Sequence, residues 1–305
     1  MTDHLTTSIL ERFSQQSSPE LCPGCGTTTS KVNYRYSPDG HPSYIYQCHS
    51  CTLEFLRPLV LTYVQDRQME SIDDAELFNS SLFQRLHEKL IIGPEISLVT
   101  KLLGRSDFTM LDIGCGTGWI SRIWADAGAK MTGLEPSRPR ATVARARGIR
   151  VLSCYVEGLD DSESYDLIVI RHVLEHLEDP RAILRNLTAR LNQNGLLLVV
   201  VPNIACIGRK VFDADWTWVL PWHCNFFAPR SLKMLLKNCG YDVVKSYQTP
   251  SPLWYPESFT RKFPRLGKML KLTPLTMLLF APLVGLGYVS RNSDNLTMIA
   301  RPLSE

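Results

Sequence analysis

Apolar residues in the central part of the chain form short continuous runs, separated by amphipathic stretches. The runs "FTMLDI", "KMTGLEP", "IRVLSCYV", "YDLIVI" and "LLLVVVPN" have the length and composition of strands that are buried on both faces. Between them, "WISRIWADAG", "RPRATVARARG" and "DPRAILRNLTARLNQNG" show helical spacing. Alternating strands and helices predict an α/β fold, a doubly wound, Rossmann-like and mostly parallel sheet that binds ligands at the carboxyl ends of its strands.

A different pattern precedes these runs. In "VNYRYSPDGHPSYIYQ", two aromatic, β-rich segments flank a turn sequence, which predicts a hairpin. A CxxC pair lies on each side of it, in "CPGCG" and "CHSC". Cys22, Cys25, Cys48 and Cys51 can therefore close a tetrahedral zinc site, and we predict a small N-terminal zinc-ribbon domain. The zinc would be structural, since four protein ligands leave no position for a substrate.

These patterns divide the chain into three parts. We expect a flexible tail at 1–19, the ribbon at 20–60 and the α/β domain at 61–305. The α/β domain opens with a helical lead-in at 70–104, which Pro94 is expected to break into two helices.

The segment 261–290 joins a basic approach to a long uncharged run. Its prolines and glycines argue against a plain membrane-spanning helix. Two alternatives remain open at this stage, a hydrophobic lid over the substrate and a segment that contacts the membrane surface.

Composition narrows the function classes. The 305 residues include 33 basic and 30 acidic ones, a balance that does not mark a nucleic-acid-binding protein. The first residues contain no apolar run of signal-peptide length, so we expect a cytoplasmic protein, with peripheral contact to the inner membrane face left open. In a reducing compartment, the nine cysteines are expected to be thiols or metal ligands.

Three glycines alternate through the turn that follows the first apolar run. Gly114, Gly116 and Gly118 would let the backbone approach a ligand closely and aim the amides of a helix start at it. About twenty residues later the second run ends in Glu135, where a carboxylate can accept both hydroxyls of a ribose. The two features predict a nucleotide-type cofactor.

The segments "LDIGCGTG", "GLEPS", "YDLIVIRHVLEHLEDP" and "LNQNGLLLVVVPN" resemble, in order and spacing, the motifs of class I S-adenosylmethionine-dependent methyltransferases. A NAD-dependent dehydrogenase would share the glycines and the acid but not the later motifs. The resemblance implies that the cofactor is S-adenosyl-L-methionine. It also implies a set of cofactor-binding residues: Asp112, Gly114, Gly116 and Gly118 at the methionine end, Glu135 at the ribose, Tyr155 and Val156 at the adenine, and His172 beside them.

Histidines are the candidate catalytic residues. In similar methyltransferases a histidine in the loop after the fifth strand faces the substrate, so His223 is the candidate base, with His176 in support. The alternative is that Glu175, His176 and His223 only hydrogen-bond loop backbone. His172, Glu175, His176 and His223 also make a potential divalent-metal set, and that alternative stays open.

The ribbon followed by "TLEFLRP" resembles methyltransferases associated with cell-surface glycan and sugar modification. The implied acceptor is a small molecule, a sugar or a lipid-linked glycan, with O-methylation expected first. One alternative is a ribosomal-RNA methyltransferase with a zinc module, although the ribbon is close to neutral, and RNA binding usually needs a denser basic patch. Another is a catalytically inactive zinc-ribbon binding protein on a methyltransferase fold.

Overall fold

The apolar runs form the central sheet of the protein. The computed structural model describes residues 10–12, 16–36, 42–59, 85–159, 163–220, 222–251, 254–267 and 274–303. In chain order the strands are β1 (Leu10–Arg12), β2 (Gln16–Leu21), β3 (Thr28–Tyr36), β4 (Ser43–Gln47), β5 (Glu54–Arg57), β6 (Phe108–Ile113), β7 (Ala129–Leu134), β8 (Arg150–Leu152), β9 (Tyr165–Arg171), β10 (Leu191–Pro202), β11 (Asn225–Phe226), β12 (Tyr241–Thr249) and β13 (Asn295–Pro302).

The helices flank these strands. They are α1 (Gly93–Leu103), α2 (Trp119–Asp126), α3 (Arg138–Ala146), α4 (Pro180–Thr188), α5 (Ile207–Phe212), α6 (Pro229–Asn238), α7 (Trp254–Lys262), α8 (Pro264–Gly267) and α9 (Pro274–Val289). Short 3₁₀ turns cover Val156–Gly158, Leu174–His176 and Asp213–Asp215. Among the described residues, none of the helices is both long and apolar enough to cross a membrane.

The central sheet has the order β12-β13-β10-β9-β6-β7-β8. The five strands from β10 to β8 are parallel, and β13 runs antiparallel between β10 and β12. Apolar side chains cover both faces: in β10, Leu197 and Val199 belong to one core cluster, whereas Leu198 and Val200 belong to the other. Burial on both faces explains the continuous apolar runs. The predicted Rossmann-like, mostly parallel α/β fold is confirmed.

One predicted boundary was wrong. The amphipathic stretch that was expected to be helical through Gly195 ends as α4 at Thr188, and β10 already begins at Leu191. Leu191 pairs with Tyr165 of β9, and the ladder shifts register before Leu196. The start of β10 was not predicted as a strand because its residues are mostly polar, and an irregular strand end need not be apolar on both faces.

A second sheet, of order β1-β3-β4-β5-β11 with β2 also paired to β3, contains the N-terminal region. Strands β3 and β4 are antiparallel, which confirms the predicted hairpin, although the turn residues 37–41 lie outside the described residues. Residues 10–12 and 16–19, expected from the sequence to belong to a tail, form strands on β3. The last strand, β11, comes from the α/β region.

A buried ion pair fixes the helical lead-in. Residues 85–103 are helical, with a change from π to α geometry next to Pro94, whereas 70–84 lie outside the described residues. Glu95 of α1 is buried and forms an ion pair with Arg171 at the end of β9. Its other oxygen accepts a hydrogen bond of 3.1 Å from the Tyr247 hydroxyl of β12. One carboxylate thus joins α1 to two strands of the sheet.

Replacing Glu95 with alanine should lower the free energy of unfolding by about 3 kcal/mol, because the Arg171 guanidinium would remain buried without its partner. Urea unfolding followed by circular dichroism measures this loss. Exposed Glu88 is the control, and Glu88→Ala should change stability by less than about 0.5 kcal/mol. Equal losses in the two variants would show that the ion pair does not hold the lead-in.

Candidate functional site

The glycine turn lies at the carboxyl end of β6, in the left-handed backbone region. Gly114, Gly116 and Gly118 have φ of 72°, 57° and 74°. A Cβ atom on Gly116 would meet nothing within 4 Å, so a ligand can approach its backbone. A Cβ on Gly114 would lie 2.4 Å from Val173 Cγ2, and one on Gly118 would lie 2.8 Å from the Ala144 Cβ. Gly116 therefore borders open space, whereas the other two glycines permit close packing.

Glu135 closes this turn from the end of β7. Its Oε2 accepts a hydrogen bond of 3.0 Å from the Gly116 amide, and its Oε1 accepts one of 2.8 Å from the Ser137 amide. Burial raises the pKa of this carboxyl, although the amides of Ser137 and Gly116 oppose the shift. A carboxylate has about four lone-pair sites, so each oxygen keeps one for a ligand hydroxyl.

Asp112, the second-last residue of β6, is buried and accepts a hydrogen bond of 2.6 Å from the Ser121 hydroxyl of α2. Burial raises the pKa of Asp112 to about 6. On the other side of the site, Tyr155 is 57% exposed and Val156 is buried at the start of a 3₁₀ turn. A cleft of about 500 Å³ lies beside that turn, lined by Val156, Glu157, Leu177, Glu178, Asp179, Ala182, Ile183 and Asn186.

His172 immediately follows β9 and has a φ of 53°. Residues other than glycine rarely adopt this conformation, and the strain costs on the order of 1 kcal/mol. The ring stacks on Trp218 with centroids 5.1 Å apart, and Nδ1 lies 3.3 Å from Oε1 of Glu175. These two contacts hold the imidazole at the carboxyl edge of the sheet.

Glu175, His176 and His223 form one group, in which a set of ligand atoms, one from each residue, lies within 4.8 Å of one another. The imidazoles of His176 and His223 meet edge to face with centroids 4.7 Å apart, and His176 Nδ1 lies 3.0 Å from the Trp222 carbonyl. We call this group the histidine cluster. His172 adjoins it through Glu175 rather than belonging to it.

The protonation states of the histidine cluster follow from its burial. Burial disfavours ionised Glu175, but the hydrogen bond with His172 and the nearby imidazoles outweigh it, and the pKa of Glu175 is lower than usual. Burial lowers the pKa of His223 to about 3, and the neighbouring His176 adds to the effect. Within the described part of the chain, Oε2 of Glu175 and Nδ1 of His223 have no hydrogen-bond partner. Such a set can accept a proton or bind a divalent cation.

Two tryptophans beside the histidine cluster were not predicted from the sequence. Trp218 stacks on His172 and makes an edge-to-face contact with Trp254 of α7, with centroids 4.9 Å apart. The "WTW" motif at 216–218 was the available signal, but aromatic residues before a loop more often belong to a core.

The four ribbon cysteines also come together, with their Sγ atoms all within 4.8 Å. Cys22 and Cys51 are 3.5 Å apart, as are Cys25 and Cys48. A tetrahedral zinc with bonds of about 2.3 Å requires sulfur atoms about 3.8 Å apart, which this group satisfies closely. The hydrogen bond with the Cys51 thiol lowers the pKa of Cys22 to about 5, which favours the thiolate.

The ribbon directly supports the loop that carries His223. Strand β5 pairs with β11, and the Leu56 amide donates a hydrogen bond of 2.9 Å to the Cys224 carbonyl. The Cys224 amide in turn donates one of 2.7 Å to the Glu175 carbonyl, and the Asn225 side chain donates one of 2.7 Å to the Leu177 carbonyl. The loop is therefore held between the ribbon and the 3₁₀ turn of the histidine cluster.

Burial of neutral His223 makes stability depend on pH. Unfolded histidine titrates near pH 6.5, whereas folded His223 titrates near 3, so below about pH 6 the unfolded state binds a proton that the folded state does not. The stability present above that pH should fall by up to about 1.4 kcal/mol per pH unit on acidification.

Urea unfolding of the wild type and of His223→Gln between about pH 7 and pH 5 tests this slope, because buried carboxyls that titrate in the same range, such as Asp112, are common to both proteins. Glutamine is neutral throughout, so the variant should show a flatter profile. Parallel profiles would mean that His223 takes up a proton in the folded state.

The chain is similar to known methyltransferases in sequence and in fold. A family model described as a methyltransferase domain matches residues 82–246. The ubiquinone biosynthesis O-methyltransferase of Rhodopseudomonas palustris (strain BisB5) is 31% identical over 158 residues, which cover 46% of this chain and 60% of that protein. Its counterpart in Paramagnetospirillum magneticum (strain ATCC 700264 / AMB-1) is 32% identical over 174 residues, covering 53% of this chain and 69% of that protein. The chain thus spans less than two thirds of the first of these relatives.

A solved structure from Haloferax volcanii, a complex of the Trm112 methyltransferase activator with a methyltransferase, matches with a TM-score of 0.50 and 14% identity. The match covers 77% of this chain and all of that chain, and at this identity it shows the fold alone. The family model spans more than half of the chain and includes the glycine turn, Glu135 and the histidine cluster. The chain belongs to the methyltransferase domain family.

Proposed function

We propose that the protein transfers a methyl group from S-adenosylmethionine to a hydroxyl oxygen of a small-molecule acceptor. The observation that carries this proposal is the open backbone of Gly116, bordered by Glu135, at the same sheet edge as the histidine cluster. Membership of the methyltransferase domain family supports the cofactor. The relatives named O-methyltransferases support oxygen as the acceptor atom.

The cofactor site proposed here is built on the ends of three strands. Gly116 would accommodate the methionine end, and Glu135 would accept the ribose hydroxyls with its remaining lone pairs. Asp112 ties the turn to α2 through Ser121. Tyr155 and Val156 remain the proposed contacts to adenine. When bound, S-adenosylmethionine supplies an electrophilic methyl group on a positively charged sulfur.

The histidine cluster would take the proton that the acceptor hydroxyl loses. His223 is neutral at physiological pH, so its imidazole has a free lone pair for the proton, although burial makes it a weaker base than an exposed histidine; the Glu175 carboxylate would stabilise the charge that forms on either imidazole. His176 is less buried than His223 and touches its ring, so a proton can reach His223 through His176. His172, held by Trp218 and Glu175, would shape the wall between this cluster and the cofactor.

Within the class of small acceptors, we propose a sugar or a lipid-linked glycan. Trp218, which stacks on His172 and His223, and Trp254, which contacts Trp218, form an aromatic group beside the histidine cluster, and aromatic side chains of this kind pack on a sugar ring or an aromatic ring. The near-neutral charge of the chain does not favour an RNA acceptor. An inactive binding protein would give no turnover with any acceptor.

We also propose that Cys22, Cys25, Cys48 and Cys51 bind a structural zinc ion. Four thiols at tetrahedral spacing support this assignment, and so does the small size of the ribbon, because few apolar residues stabilise such a fold without metal. The zinc would hold β5 in place and, through β11, the loop of His223.

Titration calorimetry should show binding of S-adenosylmethionine and not of NAD. Glu135→Ala should weaken that binding about 10- to 100-fold, since it removes a charged hydrogen-bond acceptor. Asp107→Ala is the matched control. Asp107 is exposed and lies just before β6, at the end of that strand opposite to the glycine turn. Binding of NAD alone would rule out the methyltransferase proposal.

Incubation with S-adenosylmethionine and cell extracts, followed by mass spectrometry, should reveal a compound that gains one methyl group. With that acceptor, His223→Ala should lower turnover by about 10²- to 10⁴-fold and leave cofactor affinity nearly unchanged. His49→Ala, in the exposed part of the ribbon, is the control. Full turnover of His223→Ala from about pH 6 to 9 would assign catalysis to proximity and orientation alone.

Metal analysis of the purified protein should find a single zinc ion per chain, and the double variant Cys22→Ser with Cys48→Ser should lose it. Tryptophan fluorescence should change in that variant, since Trp218 and Trp222 lie in or beside the loop that the ribbon supports. Cys154→Ser, outside the cluster, is the control. Unchanged zinc content in the double variant would contradict the proposal that these four cysteines bind the zinc ion.

A further inference from the structure

The outward side of α9 is apolar. Leu278, Leu286 and Val289 are 67%, 55% and 82% exposed, and Pro282 and Gly285 lie on the same side. These positions repeat at intervals of three and four residues, which places them along one face of the helix. Helices on the surface of a soluble protein normally carry polar side chains on the outward side, and a continuous exposed apolar face marks an interaction surface.

The opposite side of α9 packs against the protein. Phe280, Leu283 and Val284 join a core cluster that includes Tyr255. Phe280 lies 6.3 Å from the Tyr255 ring between centroids and 5.8 Å from the Phe259 ring. The helix is thus fixed on α7 by one apolar face and presents a second one to the outside.

The stretch of sequence that contains α9 is basic, although Glu257 and Asp294 border it on either side. Residues 258–293 contain six basic side chains and no acidic one, whereas the rest of the chain contains 27 basic and 30 acidic residues. Arg261 pairs with Glu257, but Arg265 of α8 is exposed. Lys268 and Lys271 lie outside the described residues, and they contribute to this count through the sequence alone. A basic segment next to an exposed apolar helix is complementary to an anionic lipid surface.

We propose that α9 docks the protein onto an anionic membrane surface, with Leu278, Leu286 and Val289 in the boundary between headgroups and acyl chains. The helix has 16 residues, about 24 Å at 1.5 Å per residue, which is less than the hydrocarbon thickness of about 30 Å. It therefore lies on the bilayer. A second copy of the chain fits this face less well, because a twofold interface would bring two basic segments together.

The lid alternative is less compatible with this geometry. A lid over the substrate would turn its apolar face toward the site, whereas the face of α9 that points inward is occupied by the core cluster. Trp218 packs against that same cluster, so the inward face of α9 and the proposed acceptor site are connected through one group of packed side chains. Delivery of a lipid-linked acceptor to that site rests on the proposed function, but binding to the membrane does not.

Co-sedimentation of the full chain with vesicles tests the proposal. Wild-type protein should sediment with vesicles of equal parts phosphatidylglycerol and phosphatidylcholine, and not with phosphatidylcholine alone. The double variant Leu286→Asp with Val289→Asp should lose at least about tenfold in vesicle affinity. Arg265→Glu should lose about fivefold at low salt and less at high salt.

Leu303→Asp is the matched control. Leu303 is 53% exposed and directly follows β13, at the end of that strand farther from α9 along the chain, so its substitution should not affect vesicle binding. Circular dichroism and calorimetry with S-adenosylmethionine check that each variant is folded, so loss of vesicle binding and loss of the methyltransferase site are measured separately. Full vesicle binding by the α9 double variant would overturn the proposal. The proposal would also be overturned if the wild type did not bind vesicles and light scattering showed that it is a dimer, whereas the double variant is a monomer.

Discussion

The pairing of β5 with β11 is the contact on which the arrangement of the site depends. It joins the N-terminal ribbon to the α/β domain by main-chain hydrogen bonds, and the second of its strands begins two residues after His223. Without this pairing, the loop that carries His223 would lose its main-chain hydrogen bonds to β5. Because the Cys224 amide also bonds to the Glu175 carbonyl, the ribbon and the histidine cluster belong to one continuous network. The strand that follows the four cysteines therefore contacts the loop of His223 as well as completing a small sheet.

Parallel strands concentrate functional groups at one edge of the sheet. Gly114, Glu135 and His172 all follow directly on strands that end side by side, β6, β7 and β9, and Gly116 comes two residues after Gly114. At that edge the backbone departs from regular geometry, with left-handed conformations at the glycines and at His172. A Cβ atom would clash with a neighbouring side chain at Gly114 and at Gly118 but would meet open space at Gly116, so the three glycines of the turn differ in their surroundings.

The sequence predicted the parts of the fold that depend on local pattern. Continuous apolar runs identified the strands of the central sheet because both faces are buried, and paired CxxC motifs identified the cysteine cluster. The motif order also predicted that Glu135 and His172 come directly after strands, and in the structure they follow β7 and β9. What could not be predicted depends on distant residues. Strand β11 has only two residues, too few for a periodic pattern, and its pairing with β5 involves no local signal. The stacking of Trp218 on His172 likewise arises only when two loops meet.

The long sequence separation between β5 and β11 has a consequence for biosynthesis. About 170 residues lie between Phe55 and its partner Asn225, so the ribbon leaves the ribosome long before β11 has been made. During that interval β5 is an edge strand with unpaired backbone groups, and such edges pair with other chains. The ribbon sheet is completed only after β6 to β10 of the central sheet have been synthesised. The pairing of β5 with β11, which joins the two sheets' regions in the folded protein, therefore cannot form until residues 225–226 have been synthesised.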